Sequence, residues 1–319
     1  MAKLIIERLL LGLMTVAIVS VLIFTSVEAL PGDACTAFLE REAHGQLLEN
    51  CRKERGLDRP AARRYLDWVA GAVRGDFGRT ANGEQAISEV VGTRARNSML
   101  LAGVATLIGI PLAIFLGIVT ALARDRPADV WISAFAILAM TIPEFVSATV
   151  LMLVFSAWLG WLPGVVLVSA DAPVAALLPQ IVLPVVTVTL VLTAHILRMV
   201  RSSVIEVMAS DYVQMARLKG VPYWQIVFRH VLPNALLPAI NIVALTIAWL
   251  LGGLVVIEIV FNYPGLGRLM IEAITKRELA IVQTVALILA LVYVGVNLAA
   301  DVLTLLANPR LRTMHGRGR

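Results

Sequence analysis

Few residues of this sequence stand where they could do chemistry. The four histidines, His44, His195, His230 and His315, lie in separate segments, and no His-Glu-x-x-His pair occurs. No Gly-x-Ser-x-Gly elbow presents a nucleophilic serine. The lysines are Lys3, Lys53, Lys219 and Lys276, and none is followed by Ser or Thr, so the Gly-Lys-Ser/Thr phosphate loop is missing. If ATP drives this protein, another chain hydrolyses it. Cys35, His44 and Cys51 could offer three zinc ligands, but their spacing and number fit no standard site, so no metal is expected.

What remains is a set of charges inside apolar runs, where an ionisable group is expensive and therefore suspect. Glu144 follows Ile142-Pro143 about halfway along one such run, with no cation within a helical turn. Asp301, Glu258, His195 and Arg198 fall nearer the ends of theirs, where an inner-face arginine, Arg268, water or snorkelling can satisfy them. Glu144 is thus the one candidate for a group facing a solute, with a neutral or hydrogen-bonded interface residue as the alternative.

The elements that would hold these residues are membrane helices. The chain has 319 residues, 59% hydrophobic and 15% charged, against about 45–50% and about 25% in soluble domains. Six apolar runs, at 9–30, 97–123, 130–159, 177–200, 235–260 and 279–307, are each near or above the roughly 20 residues needed to cross. The first exceeds a signal-peptide core and reads as a retained helix. The fold class expected is an all-α integral membrane protein with six transmembrane helices. Its parts are an N-terminus and first helix at 1–30, a polar external insert at 31–96, a five-helix core at 97–307 and a tail at 308–319.

Positive charge orients it. With the N-terminus inside, thirteen basic residues fall inside: Lys3, Arg8, Arg124, Arg126, Arg198, Arg201, Arg217, Lys219, Arg229, Arg310, Arg312, Arg317 and Arg319. The short outer loops hold only Arg268, Lys276 and Arg277. Both termini and the loop at 202–234 are then cytoplasmic, and the basic residues serve topology, not nucleic-acid binding. Cys35 and Cys51, both in the external insert, are expected to form a disulfide. In the second run, Ala105, Gly109, Ala113, Gly117 and Ala121 repeat every four residues, a stripe that lets another helix approach closely.

The loop at 202–234 is the most informative stretch. Asp211 followed by Gln214 reads as a capping box. Tyr212, Val213, Ala216 and Leu218 form a mostly apolar side, and Arg217 and Lys219 oppose the helix dipole. Gly220 is placed for a left-handed cap, Pro222 for the start of a second helix, and Pro233 for its end or kink. A surface helix on lipid headgroups has no need of that Gly-Val-Pro break.

With Ala216, Gly220, Leu232 and Pro233 in register and the run DYVQMARLKG, this loop resembles the cytoplasmic loop of ABC importer membrane subunits, in the dipeptide/oligopeptide/nickel branch. Gln214, Met215 and His230 depart from the general motif. Further stretches resemble the same family. They are Leu30-Pro31-Gly32-Asp33, Gly56-Leu57-Asp58-x-Pro60, Tyr65-Leu66-x-Trp68 and Gly75-Asp76-Phe77-Gly78 in the insert, Phe261-x-x-Pro264-Gly265-Leu266-Gly267, and Asn308-Pro309-Arg310-Leu311-Arg312.

The resemblance implies a coupling helix, carried by Asp211, Tyr212, Ala216, Arg217, Lys219, Gly220 and Pro222, that docks on an ATPase. It implies an outer re-entrant turn near the pathway at Pro264 and Gly265. Its implied partners are a second permease subunit, two ATPase subunits holding ATP and Mg, an external substrate-binding protein and membrane lipid. The implied location is the bacterial inner membrane. This chain itself would bind no cofactor and catalyse nothing. The competing classes are an ion-coupled secondary transporter, which would need repeats and ion ligands, and a non-transporting scaffold. The solute, a peptide or related compound, is not readable from these residues.

Overall fold

The computed structural model describes residues 2–30, 32–39, 43–54, 56–80 and 83–307. Among them the chain is helical, with one isolated bridge between Arg79 and Ala86 and no strand. The tail at 308–319 lies outside the described residues.

Helix α1 (Ala2–Glu28) is apolar on every side between Arg8 and Glu28, and Leu10, Leu13 and Leu22 are exposed on it, as a helix in lipid requires. The insert follows as α2 (Ala34–Leu39), α3 (Gly45–Glu54) and α4 (Ala61–Val73). A disulfide joins Cys35 of α2 to Cys51 of α3, with the Cα atoms 5.9 Å apart. Helix α4 starts after Pro60 and ends before Gly75, whose φ is +76°. Leu66 and Val73 are exposed, whereas Tyr65 and Trp68, three residues apart and so on one face, close around Phe24 of α1. The Tyr65 and Ser20 hydroxyls are 2.8 Å apart, so the insert is seated on the first helix.

Helix α5 (Ile87–Leu122) is 36 residues long. Residues 87–96, expected in the insert, are its first turns, because nothing breaks the helix before Asn97. Its small-residue stripe is buried throughout. The loop before the next helix ends at Pro127, which starts α6 (Pro127–Thr141).

The third run departs from expectation. The crossing predicted over 130–159 is broken into α6 and α7 (Glu144–Met152), the latter continuing as a π-helical turn, Leu153–Trp158. The two halves bend by 106°. Proline disfavours the helical conformation of the residue before it, and Ile142 is extended, with φ −77° and ψ 127°.

After the short α8 (Val174–Leu177), helix α9 (Val182–Met208) forms the centre of the bundle. The partner of the α5 stripe is α9. A Cβ added to Gly109 would lie 2.7 Å from Leu192, and one on Gly117 would lie 2.7 Å from Val200. Helix α9 also runs well past the predicted end at 200. Arg201 does not terminate it, because its guanidinium is neutralised by Asp129 of α6, at 2.7 Å to each carboxylate oxygen. His195 therefore sits near the middle of α9, not near its inner end as expected.

The remaining helices are α10 (Asp211–Leu218), α11 (Tyr223–Ile226), α12 (Leu232–Ala235), α13 (Leu237–Val260), α14 (Leu266–Thr275) and α15 (Leu279–Ala307). Asp301 of α15 pairs with Arg8 of α1 at 3.1 Å. By length and composition, four helices of the described residues could cross a bilayer, or five if the bent pair counts as one. That measure falls short of the six expected. One end of the bundle carries the insert, the starts of α5, α9 and α15 and the turn before α14. The other end carries α10 to α12.

Candidate functional site

At the α10–α12 end the chain builds a compact helical elbow. Helix α10 ends in a glycine cap: the Gly220 N–H donates to the Arg217 carbonyl at 2.9 Å, and the Val221 N–H to the Ala216 carbonyl at 3.2 Å. This double closure needs a left-handed residue, and Gly220 has φ +74° with open space around its Cα. Pro222 precedes α11 with φ −57° and ψ 139°, one position before the helical start expected for it. The helix continues through a π-helical turn, Val227–Val231, into α12 with Pro233 in its first turn. That bulge is where a proline ring is accommodated without ending the helix.

The expected capping box does not form. Ser210 is the N-cap, without a side-chain cap bond, and Asp211 is the first helical residue. The Gln214 amide reaches back to the Ala209 carbonyl at 3.1 Å. Asp211 still places an anion at the helix N-terminus, where the dipole favours it.

The elbow is apolar on two faces. Val213, Ile226, Val227 and Val231 are fully buried, with α10, the π-helical turn and α12 packed on α9. The Ser203 hydroxyl of α9 donates to the Ala235 carbonyl at 2.7 Å, tying α12 down. The other face is open: Leu218 is 82% exposed, Phe228 65% and Trp224 60%, with Tyr212, Met215 and Tyr223 beside them. Leu218 was expected on the same side as Val213 and is not. Trp224 stacks on Phe228 with ring centroids 5.9 Å apart. The Tyr212 hydroxyl reaches the His230 carbonyl at 3.4 Å, holding α10 to the second helix. Lys219 is exposed at the tip, and Arg217 lies over Met208. An exposed apolar cluster rimmed by charge is the composition of a protein-binding surface.

At the opposite end, Pro264 and Gly265 are buried in a turn gripped from three sides. The Tyr263 hydroxyl donates to the Asn97 carbonyl at 2.6 Å, and the Asn97 amide donates to the Pro264 and Ala170 carbonyls, each at 2.9 Å. The Leu266 N–H donates to the Ser98 hydroxyl at 2.8 Å. Glu258 is not solvated as expected, nor paired through the Arg268 guanidinium. It is 1% exposed and accepts the Ser98 hydroxyl at 2.5 Å and the Arg268 backbone N–H at 3.1 Å. The Arg268 side chain goes instead to Glu272 and to the Asn262 carbonyl, each at 2.7 Å. Sequence reasoning missed Asn97 and Ser98. A polar pair at the start of a long apolar run was the available signal.

Glu144 opens α7 directly after the break, half-buried against Gly253 of α13, with α9 packed alongside α7. No group of three or more His, Cys, Asp or Glu that could hold a metal occurs among the described residues. The exposed apolar cluster on the elbow offers a docking surface.

Comparison with known proteins agrees with that character. Residues 109–313 match the family model described as binding-protein-dependent transport system inner membrane component, and residues 1–90 match the model of its N-terminal part. The glutathione transport system permease protein GsiC of Escherichia coli is 33% identical over 312 residues, covering 98% of this chain and 99% of the relative. A putative peptide transport system permease protein of Brucella abortus is 34% identical over 313 residues, with the same coverage.

Proposed function

This chain belongs to the family of inner membrane components of binding-protein-dependent transport systems, and from that premise we propose how it works as the permease subunit of an ABC importer. It forms one wall of the pathway for a small peptide-like solute, its relatives being named for glutathione transport and for peptide transport. The elbow of α10 to α12 is its coupling element and docks in a groove of a cytoplasmic ATPase subunit. Asp211, Tyr212, Ala216, Arg217, Lys219, Gly220 and Pro222 shape or present that surface. ATP and Mg sit on the partner ATPases, and this chain binds no cofactor of its own.

Helix α13, 24 residues long and so about 36 Å at 1.5 Å per residue, completes six crossings with the other four helices and the bent pair. Both termini and the elbow face the cytoplasm, and the insert carrying the disulfide faces outward, toward a binding protein. A second permease subunit, two ATPases and lipid surround the chain in the inner membrane.

The observation that carries the coupling role is the exposed cluster of Met215, Leu218, Trp224 and Phe228 on an elbow whose other face is locked into the bundle. Movement of the elbow must then move α9 and α13 with it. Co-purification with the ATPase subunits tests this. Leu218→Asp places a charge in the cluster and should abolish ATPase retention while subunit yield in the membrane is kept. Unchanged retention contradicts the docking role.

A further inference from the structure

Near the middle of the bundle, three helices bring together side chains that share one kind of chemistry. Glu144 opens α7 at the 106° bend, His195 is near the midpoint of α9, and Trp249 and Gly253 lie in the central turns of α13. The Glu144 carboxylate rests on Gly253, where a Cβ would meet Oε2 at 2.5 Å and Oε1 at 2.9 Å. His195 Nδ1 is 3.0 Å from the Val191 carbonyl oxygen. A carbonyl only accepts, so Nδ1 donates, and when the ring carries no second proton Nε2 is free to accept. The Trp249 and His195 ring centroids are 5.4 Å apart, and Trp249 is 52% exposed.

The Glu144 carboxylate forms no hydrogen bond or ion pair with another described residue. A half-exposed, unpaired carboxylate at this depth is costly against lipid. A broken backbone is tolerated at membrane depth only inside protein or beside a water-filled cavity. Both features fit a face that lines the solute path. Along it lie a carboxylate, an imidazole acceptor and the face of an indole.

We infer that Glu144, His195 and Trp249 form a transient binding site for a primary ammonium group on the passing solute. An ammonium has three N–H donors and no acceptor. The carboxylate and Nε2 accept two of them, and the indole face attracts the cation. The inference rests on the reading of this chain as the wall of a peptide pathway. It adds a charge preference within the membrane, distinct from any selection made by the external binding protein.

The test is a titration of the assembled transporter, without binding protein, followed by tryptophan fluorescence. The probes are trialanine, with a free amino terminus, and N-acetyl-trialanine, which lacks the ammonium. Trialanine should give a saturable change that is lost in Trp249→Phe, and N-acetyl-trialanine should give none. Glu144→Gln should weaken binding about tenfold or more, the range of a charged hydrogen bond. Glu144→Asp, which keeps the charge, should retain part of the affinity and excludes misfolding as the cause. Equal binding of the two probes, an unaltered affinity in Glu144→Gln, or no saturable signal in the wild type overturns the site. ATP-driven trialanine uptake with binding protein present tests the peptide-permease reading separately, and its loss in the wild type would overturn that reading.

Discussion

The Ser98 hydroxyl and the Glu258 carboxylate meet at 2.5 Å, joining the start of α5 to the end of α13. The same hydroxyl accepts the Leu266 N–H, so one side chain holds both the carboxylate and the first turn of α14. Gly265 packs so closely on the carboxylate that any Cβ would collide with it. Ser98→Ala removes a donor from a fully buried acid and should cost about 1–3 kcal/mol. Melting of the solubilised transporter should fall accordingly, and Gly265→Ala should also lower it. Unchanged melting in both variants contradicts the latch.

Asp129 and Arg201 form the corresponding tie at the other end. Asp129 also accepts the Ser133 hydroxyl and the Asp125 N–H. Arg201→Ala removes the charged partner of a carboxylate that is 4% exposed and leaves it only the Ser133 and Asp125 donors, a loss of about 1–3 kcal/mol. Arg201→Lys keeps the charge but not the fork and should fall between. The melting order wild type, Lys, Ala checks this, and an Ala variant as stable as wild type refutes it.

The α5 stripe makes a contrast within one helix. Gly117→Leu must push α9 away, because Val200 and the Leu197 carbonyl occupy the space, whereas Gly103 has nothing within 4 Å. Gly117→Leu should therefore reduce subunit yield in the membrane, and Gly103→Leu should not. Equal yields would remove the packing role.

The insert should lose stability in acid. Burial raises the Asp33 pKa, but the Thr36 N–H and Arg52 outweigh it and hold the carboxyl below its ordinary value of 3.8. A depressed folded value stabilises the insert above the unfolded value, and that contribution disappears as pH falls through the folded one. Protease resistance of the insert should drop below about pH 3.8, and this acid-side drop should be smaller in Asp33→Asn. An identical acid profile in that variant contradicts the assignment.

The elbow was legible because Gly220 and the prolines act locally: a left-handed cap and missing N–H groups depend on little beyond the neighbouring turn. The stripe was legible as packing, since Ala105 to Ala121 repeat at helical spacing, though α9 as partner was not. The bend at Ile142-Pro143 was underestimated. The hydropathy of 130–159 is continuous, and a proline alone does not state whether a helix kinks or turns aside. The end of α9 was misplaced because Arg201 looks like a stop until Asp129, 72 positions away, neutralises it. Ser98 and Glu258 are 160 residues apart, and no local pattern pairs them.

The coupling role is tested most directly at Leu218. The only cysteines, Cys35 and Cys51, are joined in the insert, so Leu218→Cys introduces a single reactive thiol at the exposed tip of α10. Its rate of maleimide labelling is measured in membranes with and without the ATPase subunits. Docking predicts strong protection by the ATPases and a disulfide cross-link to a cysteine placed in their groove. Equal labelling with and without them, and no cross-link, would contradict the assignment of this elbow as the coupling element.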